Sequence, residues 1–347
     1  MSGSPHERAT LDSVAAITGV SKATVSKVLN DRPGVSEATR RRVREAMREL
    51  RYAPTTGRPD AETSRPRSVV ALFDTLANLY ALRMMDGLVA QAQEDGVEIV
   101  PLVTSPLSPG PGRPLEPERV RDLHRRGHAG LLAVTTQLSR ELIGVCSELG
   151  FPVLAIDPVD ALDQSVVSVG SNTWGGGVQA TEHLLALGHR RIGFVGGSAA
   201  HAGLRERRAG YRAALEAAGV AEDPALVSEE GMGVAGEPAL RMLALPDPPT
   251  AFFVSSDPGA LMVVREVVRS GRRVPDDVSV VGYDDTYASL PAPAQLTSVH
   301  TPLAQIGQVA VTTLLRMGQG IPPVANHVQL STSLVVRETT APPGRRS

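Results

Sequence analysis

Apolar positions along the chain follow two patterns, and the change between them divides the sequence. In residues 11–50 the apolar side chains recur every three or four positions, which predicts short amphipathic helices over 11–18, 22–30 and 37–50. A hydroxyl residue precedes each helix, where its side chain caps the first turn: Thr10, Ser21 and Ser36. The positions predicted to face inward are Leu11, Val14, Ala15, Ile17, Val25, Val28, Leu29, Val43, Ala46, Met47 and Leu50.

From residue 68 onward the pattern changes to short, continuous aliphatic runs separated by amphipathic stretches. Runs such as SVVALF, GLLAV, PVLAI and AFFV are typical of buried parallel strands, and the stretches between them predict helices. This alternation predicts an α/β body of doubly wound parallel sheets. Its length suits two lobes with a cleft between them, and such sheets bind ligands beyond the carboxyl ends of their strands.

Charge separates the same two parts of the chain. Residues 1–67 hold 13 basic and 8 acidic residues, whereas the remainder holds 22 basic and 29 acidic residues. A basic head on an acidic body suggests a module that binds a polyanion. Cys146 is the one cysteine, which excludes an internal disulfide. The first residues lack the apolar core of a signal peptide and no apolar run is long enough to span a membrane, so we expect a cytoplasmic protein without membrane contact.

The glycine-containing turn at 19–21 joins two short helices, as in a helix-turn-helix. In that motif the second helix enters the DNA major groove, led by its N-terminal residues. Lys22 and Lys27 are the only lysines of the chain, and both lie on the polar side of this helix. We therefore expect them to reach guanine edges or phosphates, and Ala23 to contact a thymine methyl group.

Residues 10–54 resemble the DNA-binding headpiece of the lactose-repressor (LacI/GalR) family of bacterial transcription regulators. The matching pieces are T-L-x-x-V-A, G-V-S-x-x-T-V-S-x-V-L-N, V-S-x-x-T-R and L-x-Y-x-P, and Ser13 departs from the aspartate that is usual there. The resemblance implies that Lys22, Ala23 and Lys27 read bases. It also implies residues that contact the DNA backbone or flank the base readers: Thr10, Ser21, Thr24, Ser26, Asn30, Ser36, Thr39 and Tyr52.

The body resembles the rest of the same family, whose fold is like that of periplasmic sugar-binding proteins. The matching pieces are L-G-H-R-R-I-G-F-V-G-G, R-x-x-G-Y, G-R-R-V-P-D-D-V-S-V-V-G-Y-D-D and L-T-S-V. The resemblance implies a homodimer on a near-palindromic operator, with the segment of Leu82, Met85 and Leu88 as a candidate interface helix. The expected parts are a headpiece (1–54), a hinge or linker (55–67), a first lobe (68–168 and 300–325), a second lobe (169–299 and 326–340) and a tail (341–347).

The linker departs from the family pattern. Many relatives have a hinge of the form P-N-x-x-A-R-x-L that becomes helical on DNA, whereas residues 55–67 contain Gly57 and Pro59 and no leucine. Glycine and proline both disfavour a helix interior, by about 1 and about 3 kcal/mol. We therefore predict that 55–67 stays a flexible linker and that bound DNA is bent little at its centre.

Polar residues follow several predicted strands of the body. A carboxylate accepts hydrogen bonds from hydroxyls and a guanidinium donates a fork of them, so a ring of aspartate, arginine and serine around a cleft suits a sugar. The residues at these places are Asp74, Asp157, Arg207, Ser256 and Asp284, and the resemblance implies effector contacts there. Trp174 either stacks on the ligand or packs at the core or rim. Asp257 and Asp285 are interpreted as helix or loop caps.

The leading hypothesis is a repressor of sugar-utilisation genes that a small carbohydrate effector releases from DNA. One alternative is a regulator that senses a nucleobase or a partner protein, and another is a cytoplasmic sugar-binding protein without a DNA role. A transporter's solute-binding protein would need a signal peptide. An enzyme would need a nucleophile or cofactor motif, and the glycine-rich stretch GFVGGSAAHAG lacks the G-x-G-x-x-G spacing. We expect no enzyme activity, no cofactor and no metal.

Overall fold

In the computed structural model the chain divides into two units, Met1–Arg65 and Pro66–Ser347. The structure describes residues 11–29, 35–49, 67–104, 114–160, 165–197, 201–230, 234–286 and 295–344. The predicted linker lies outside these ranges apart from Arg67, which begins the first strand of the body. The linker therefore stays a prediction.

The small unit, called the head below, holds three helices where the sequence predicts them. They are α1 (Leu11–Thr18), α2 (Lys22–Leu29) and α3 (Glu37–Glu49). The hydroxyl of Ser21 accepts the backbone N–H of Thr24 at 3.2 Å, and that of Ser36 accepts the N–H of Thr39 at 3.3 Å. These bonds confirm two of the predicted caps. The apolar core of the head consists of Val14, Val25, Val28, Val43 and Ala46.

Among the inward positions of the head whose side chains the structure describes, one prediction is wrong; the side chains of Leu11, Leu29 and Leu50 lie outside the described residues. Ile17 is 56% exposed, and the neighbouring Thr18 takes the buried place at the end of α1. The hydroxyl of Thr18 donates to the carbonyl of Val14 at 2.6 Å, which allows a polar side chain to be buried there. Gly19 then ends the helix with a φ of 65°, in the left-handed region that glycine tolerates.

The first lobe of the body is a six-stranded parallel sheet in the order β11-β5-β4-β3-β1-β2. Alternate residues of its central strands pack against helices on opposite faces, as in a doubly wound fold. Its strands are β1 (Arg67–Phe73), β2 (Val97–Val103), β3 (Leu131–Val134), β4 (Val153–Ile156), β5 (Val167–Ser171) and β11 (His327–Leu330). Its helices are α4 (Leu79–Glu94), α5 (Pro117–Arg125), α6 (Arg140–Glu148) and α11 (Leu303–Gly318).

The second lobe is a six-stranded sheet in the order β12-β10-β9-β8-β6-β7. Neighbouring strands of this sheet run parallel to each other, except that β12 runs antiparallel to β10. Its strands are β6 (Ile192–Val195), β7 (Val227–Ser228), β8 (Ala251–Val254), β9 (Ser279–Asp284), β10 (Thr297–His300) and β12 (Ser333–Val335). Its helices are α7 (Thr173–Ala186), α8 (Ala202–Ala217), α9 (Gly236–Leu243) and α10 (Asp257–Arg269). The doubly wound α/β architecture is as predicted.

The lobe boundaries differ from the predicted ones at two places. Strand β5 lies wholly in the first sheet, although the predicted boundary after residue 168 cuts it. Strand β11 also belongs to the first sheet, whereas the sequence assigned 326–340 to the second lobe. The sequence HVQL of β11 alternates polar and apolar residues because this strand is a half-exposed edge, so it lacks the aliphatic run of a buried strand.

The candidate interface helix is α4, and its three apolar residues have different environments. Leu82 is 49% exposed, whereas Leu88 is fully buried in the core of its own lobe. Leu88 is therefore unavailable to a partner, and this part of the interface prediction is wrong. Within the described ranges, no helix has the length and apolar character needed to cross a membrane.

Candidate functional site

A cavity of about 700 Å³ lies between the carboxyl ends of the two sheets of the body. Side chains from both lobes line it, at the sheet edge where doubly wound folds bind ligands. It brings together the five residues that the sequence singles out, four at strand ends and Arg207 on α8: Asp74, Asp157, Arg207, Ser256 and Asp284.

The backbone bends sharply where three of the strands reach the cavity. Thr135 after β3, Asp157 after β4 and Asp284 at the end of β9 have φ values of 47°, 43° and 93°. This left-handed region is uncommon for residues other than glycine, and for a β-branched residue such as Thr135 it is strained. Such strain is concentrated at functional sites, where it aims side chains in directions that a relaxed turn would not allow.

On the first-lobe side, Asp157 is the centre of a small polar cluster. Its carboxylate accepts the hydroxyl of Tyr80 at 2.5 Å and the backbone N–H of Ser171 at 3.1 Å. A Cβ on Gly170 would stand 2.5 Å from the carboxylate, so glycine is needed beside it. Burial raises the pKa of Asp157, and the two hydrogen bonds oppose that rise. Tyr80, on α4, was not identified from the sequence.

On the second-lobe side, Arg207 and Asp284 form a buried ion pair. The guanidinium donates to the Asp284 carboxylate at 3.2 Å, and it also donates to the carbonyl of Ser255. It stacks on the ring of Tyr283, 3.7 Å from the centroid. Burial lowers the pKa of Arg207, but Asp284, Tyr283, Asp157 and Tyr80 together outweigh this effect and raise it. Burial raises the pKa of Asp284, and Arg207 opposes that rise.

The close approach of α7 and α8 fixes where Arg207 emerges. A Cβ on Gly177 would clash with the carbonyl of Arg207, and one on Gly210 would clash with that of Trp174. The two helices therefore pack backbone against backbone, which requires glycine at both contacts. Gly177, the last glycine of the run after Trp174, serves this contact.

Within the described part of the body, four buried polar side-chain atoms without a hydrogen-bond partner belong to residues that line the cavity. They are Thr136 Oγ1, Ser171 Oγ, His201 Nδ1 and Arg207 Nε. Burial of an unpaired polar group is costly, so these atoms are suited to a polar ligand. Thr136 lies two residues after strand β3, and that position was the one sequence signal that could have identified it.

The remaining strand-end residues have internal partners. Asp74 lines the cavity while its carboxylate accepts the N–H of Thr75 at 2.7 Å. Ser256 lines it too, and its hydroxyl accepts the N–H of Gly259 at 3.4 Å in the first turn of α10. Ser256 thus both caps α10 and lines the cavity.

Asp257 behaves as the predicted structural cap, whereas Asp285 is held by an ion pair. Asp257 is 1% exposed and accepts the hydroxyl of Ser298 at 2.6 Å and the N–H of Thr286 at 2.7 Å. Burial raises its pKa to about 7. Asp285 forms an ion pair with Arg337 at 2.7 Å. These contacts hold the residues that directly follow β9 against β10 and Arg337.

Trp174 does not line the cavity. It lies in the first turn of α7 with 49% of its surface exposed. The structure therefore gives no support to the stacking role and places this residue at the surface.

In the head, Lys22 and Lys27 are exposed on α2, with Ser21 and Thr24 beside them. The hydroxyls of Ser21 and Thr24 are 2.9 Å apart, as are those of Ser36 and Thr39. Thr10, Asn30 and Tyr52 lie outside the described residues, and so do the side chains of Ala23 and Ser26.

A second cavity of about 380 Å³ lies at the β7 edge of the second lobe. Its charged residues are paired with each other or with neighbours, since Glu230 contacts Arg241 and Glu229 contacts Arg208. It contains none of the strand-end residues, and the larger cavity is the better candidate for a binding site.

Two family models match the chain. Residues 10–55 match the model of bacterial regulatory proteins of the lacI family, and residues 181–340 match a periplasmic binding protein-like domain. The first match contains the three helices of the head. The second match contains most of the second lobe, together with α11 and β11 of the first.

Similar proteins and structures cover nearly the whole chain. The HTH-type transcriptional regulator CelR of Thermobifida fusca is 34% identical over 343 residues, which are 96% of this chain and 99% of CelR. The HTH-type transcriptional repressor PurR of Aliivibrio salmonicida (strain LFI1238) is 30% identical over 314 residues, which are 88% of this chain and 91% of PurR.

Among solved structures, a complex of the transcriptional regulator CelR with cellobiose has a TM-score of 0.69 and 32% identity. A lac repressor dimer bound to operator and the anti-inducer ONPF has a TM-score of 0.68 and 29% identity. Each comparison covers 96% of this chain and 100% of the other.

Proposed function

The chain belongs to the LacI family of bacterial DNA-binding transcriptional regulators, and we propose that its effector is a small carbohydrate bound in the cavity between the two lobes. The effector releases the head from its operator, which makes the protein a repressor of sugar-utilisation genes. The ligand leaves chemically unchanged, since the relatives are regulators and not enzymes. The DNA that it binds places it in the cytoplasm.

The observation that carries this proposal is the set of unpartnered polar atoms in the cavity. Thr136 Oγ1, Ser171 Oγ, His201 Nδ1 and Arg207 Nε are buried without hydrogen bonds within the described body. A hydroxyl both donates and accepts, so a ligand with several hydroxyls satisfies hydroxyl, imidazole and guanidinium groups together. The cellobiose complex of a similar regulator supports the same ligand class.

For the head, we propose that Lys22, Ala23 and Lys27 read bases in the major groove. Ser21, Thr24, Ser36 and Thr39 support this reading, because their hydroxyls lie at the N-termini of α2 and α3. Such positions are suited to phosphate contacts. Thr10, Ser26, Asn30 and Tyr52 complete the proposed set.

The proposed partner of the chain is a second copy of itself. The solved lac repressor neighbour is a dimer on its operator, and the fold is shared over nearly the whole chain. Two-fold symmetry of the protein corresponds to a near-palindromic DNA site. The exposed Leu82 of α4 is the apolar candidate for this contact.

A nucleobase is the second candidate effector, because a PurR relative is 30% identical over most of the chain. A flat base is usually held by aromatic stacking. Among the described residues that line the cavity, Tyr80 is the one aromatic side chain besides histidine, and its hydroxyl is bonded to Asp157. This favours the sugar over the base.

The test is a thermal-shift screen with monosaccharides, disaccharides and purines, followed by operator release with each ligand that raises Tm. Ser171→Ala removes a hydroxyl that has no internal partner, so it should leave the unliganded stability unchanged. It should weaken effector binding by about three- to tenfold, the value of one neutral hydrogen bond. Ser147→Ala, at an exposed site on α6, is the matched control and should bind as the wild type does.

Two results would contradict the proposal. One is stabilisation by purines with none by sugars. The other is a sugar that binds Ser171→Ala and the wild type equally well and does not release operator DNA from either.

A further inference from the structure

We propose that the cavity accepts an uncharged, unphosphorylated sugar and excludes sugar phosphates. This inference rests on the proposed function and adds the charge state of the ligand. It follows from the balance of acidic and basic groups that line the cavity.

Acidic side chains dominate the lining. Asp74, Asp157, Glu206 and Asp284 all face the cavity. Three of them accept hydrogen bonds without a cationic partner: Asp74 from Thr75, Asp157 from Tyr80, and Glu206 from Thr173. Within the described residues none of the three forms an ion pair, and Asp157 alone is attracted by the more distant charge of Arg207, so the protein neutralises their negative charges at most in part.

Arg207 is the only arginine or lysine among the described lining residues, and both of its terminal nitrogens already donate to the protein. One terminal nitrogen donates to Asp284 and the other to the carbonyl of Ser255, while the guanidinium plane stacks on Tyr283. Nε is the guanidinium nitrogen without a partner. Phosphate recognition normally uses an arginine whose charge and fork of donors are free, whereas the charge of Arg207 is already paired with Asp284.

The two histidines of the lining do not compensate. Burial, with Arg207 and Arg205, lowers the pKa of His201 to about 4, so it is neutral at the pH of a cell. His327 is exposed, and its Nδ1 is 2.9 Å from the hydroxyl of Ser168. Neither residue places a buried positive charge in the cavity.

The N-termini of the helices at the cavity also offer a phosphate few favourable backbone N–H donors. Side-chain caps occupy a first-turn N–H of α4, α7 and α10, through Asn78, Asn172 and Ser256. Helix α8 begins without such a cap, but the carboxylate of Glu206 lies one turn further on. The usual backbone site for a phosphate is therefore either capped or beside an anion.

A phosphate monoester carries a charge of about −1.5 to −2 at pH 7. Placing it beside uncompensated carboxylates in a buried cavity is unfavourable, since like charges in contact cost several kcal/mol. Sugar hydroxyls, in contrast, donate to carboxylates without repulsion. The effector must consequently be supplied by an uptake or hydrolysis step that does not transfer a phosphoryl group to the sugar.

The experiment compares ligands that differ only in the phosphate. Isothermal titration of the full-length protein with cellobiose, maltose and glucose is run beside the 6-phosphate of each, with hypoxanthine and guanine as a separate arm. We expect the phosphate of any binding sugar to bind at least about 100-fold more weakly than its parent.

Each outcome separates the two proposals. A sugar phosphate that binds as tightly as its parent sugar, or more tightly, overturns the charge inference and leaves a carbohydrate effector standing. Binding of the purines and of no sugar, or of no ligand in either arm, overturns the proposed function and this inference with it.

A variant tests whether charge is the cause. Asp74→Asn combined with Glu206→Gln removes two of the uncompensated carboxylates and should reduce the ratio of the two dissociation constants at least about tenfold. Asp86→Asn, an exposed carboxylate of α4 outside the cavity, is the control and should leave the ratio unchanged. An unchanged ratio in the double variant overturns the inference.

Discussion

The head and the cavity both depend on charged side chains, but they hold them in opposite ways. Lys22 and Lys27 are exposed on one face of a short helix, over a core of small apolar residues. Arg207 and Asp284 keep only 11% and 10% of their side-chain surface exposed, and each is the other's counter-ion. An exposed charge is available to a polyanion and contributes little to folding, whereas a buried pair is part of the fold and of the site together.

The largest expected effect comes from separating the buried pair. Arg207→Ala leaves Asp284 buried without its cation, and the free energy of unfolding of the body should fall by about 3–5 kcal/mol. Urea unfolding, followed by circular dichroism, measures this loss.

The matched control lies on the same helix. Arg212 is exposed on α8, and Arg212→Ala should change the stability by less than about 0.5 kcal/mol. If both substitutions lower the free energy of unfolding equally, burial of the arginine does not determine its contribution to stability. The proposed difference between the exposed charges of the head and the buried pair of the cavity would then be wrong.

Next in size is the loss of a base reader from the head. Lys22→Ala and Lys27→Ala should each weaken binding to the preferred operator by about 1–3 kcal/mol, with little change in the stability of the fold. Fluorescence anisotropy with the preferred and a scrambled operator measures both affinities.

Arg42, exposed on α3, supplies the comparison for these lysines. If it contacts only phosphate, Arg42→Ala should weaken all sequences equally and reduce the salt slope by about one unit. If Lys22→Ala and Lys27→Ala behave in this way, the two lysines contact phosphate and do not read bases, which would contradict the proposal.

The smallest expected effect concerns pH and a buried carboxyl behind the cavity. Burial raises the pKa of Asp257 to about 7, while an aspartate in an unfolded chain has a pKa of about 3.9. The folded state therefore binds the proton of Asp257 more tightly than the unfolded state, so protonation stabilises the fold. This stabilisation is complete below pH 4 and is lost as the pH rises through 7. Between pH 7.5 and pH 6.0 Asp257 should add about 1 kcal/mol to the free energy of unfolding.

Asp257→Asn should remove that increment. The pKa values of His128, His183 and His189 are lowered by burial, so these histidines act in the opposite direction and the comparison must be made between the two proteins. Urea titrations at both pH values give the difference. Parallel pH profiles would show that Asp257 does not titrate in this range.

The same contrast explains what could be predicted from the sequence. The three helices of the head are predicted within a residue wherever the structure describes them, because their caps and apolar spacing are local signals. The strand-end residues of the cavity are predicted as a set, since the ends of parallel strands meet at one edge. Ile17 and Leu88 were misjudged because the packing partners of a helix decide which apolar residue is buried.

Other features depended on contacts between distant parts of the chain. Tyr80 reaches Asp157 across 77 positions, and no local pattern indicates that pairing. Strands β11 and β12 are short and partly exposed, so they lack the aliphatic signal of the central strands. Trp174 has the right residue type for a sugar platform, but the helix contact through Gly210 leaves it outside the cavity.

The position of β11 and β12 in the sequence also sets an order of synthesis. The apolar cluster of the head is complete at residue 47, whereas the two sheets of the body are complete only when residues 330 and 335 have been made. At about 5–20 residues per second this interval lasts about 15 to 60 s. During that time the nascent chain carries a finished DNA-binding head on a sensor that lacks its last strands, so a new molecule acquires its ability to bind DNA well before its ability to respond.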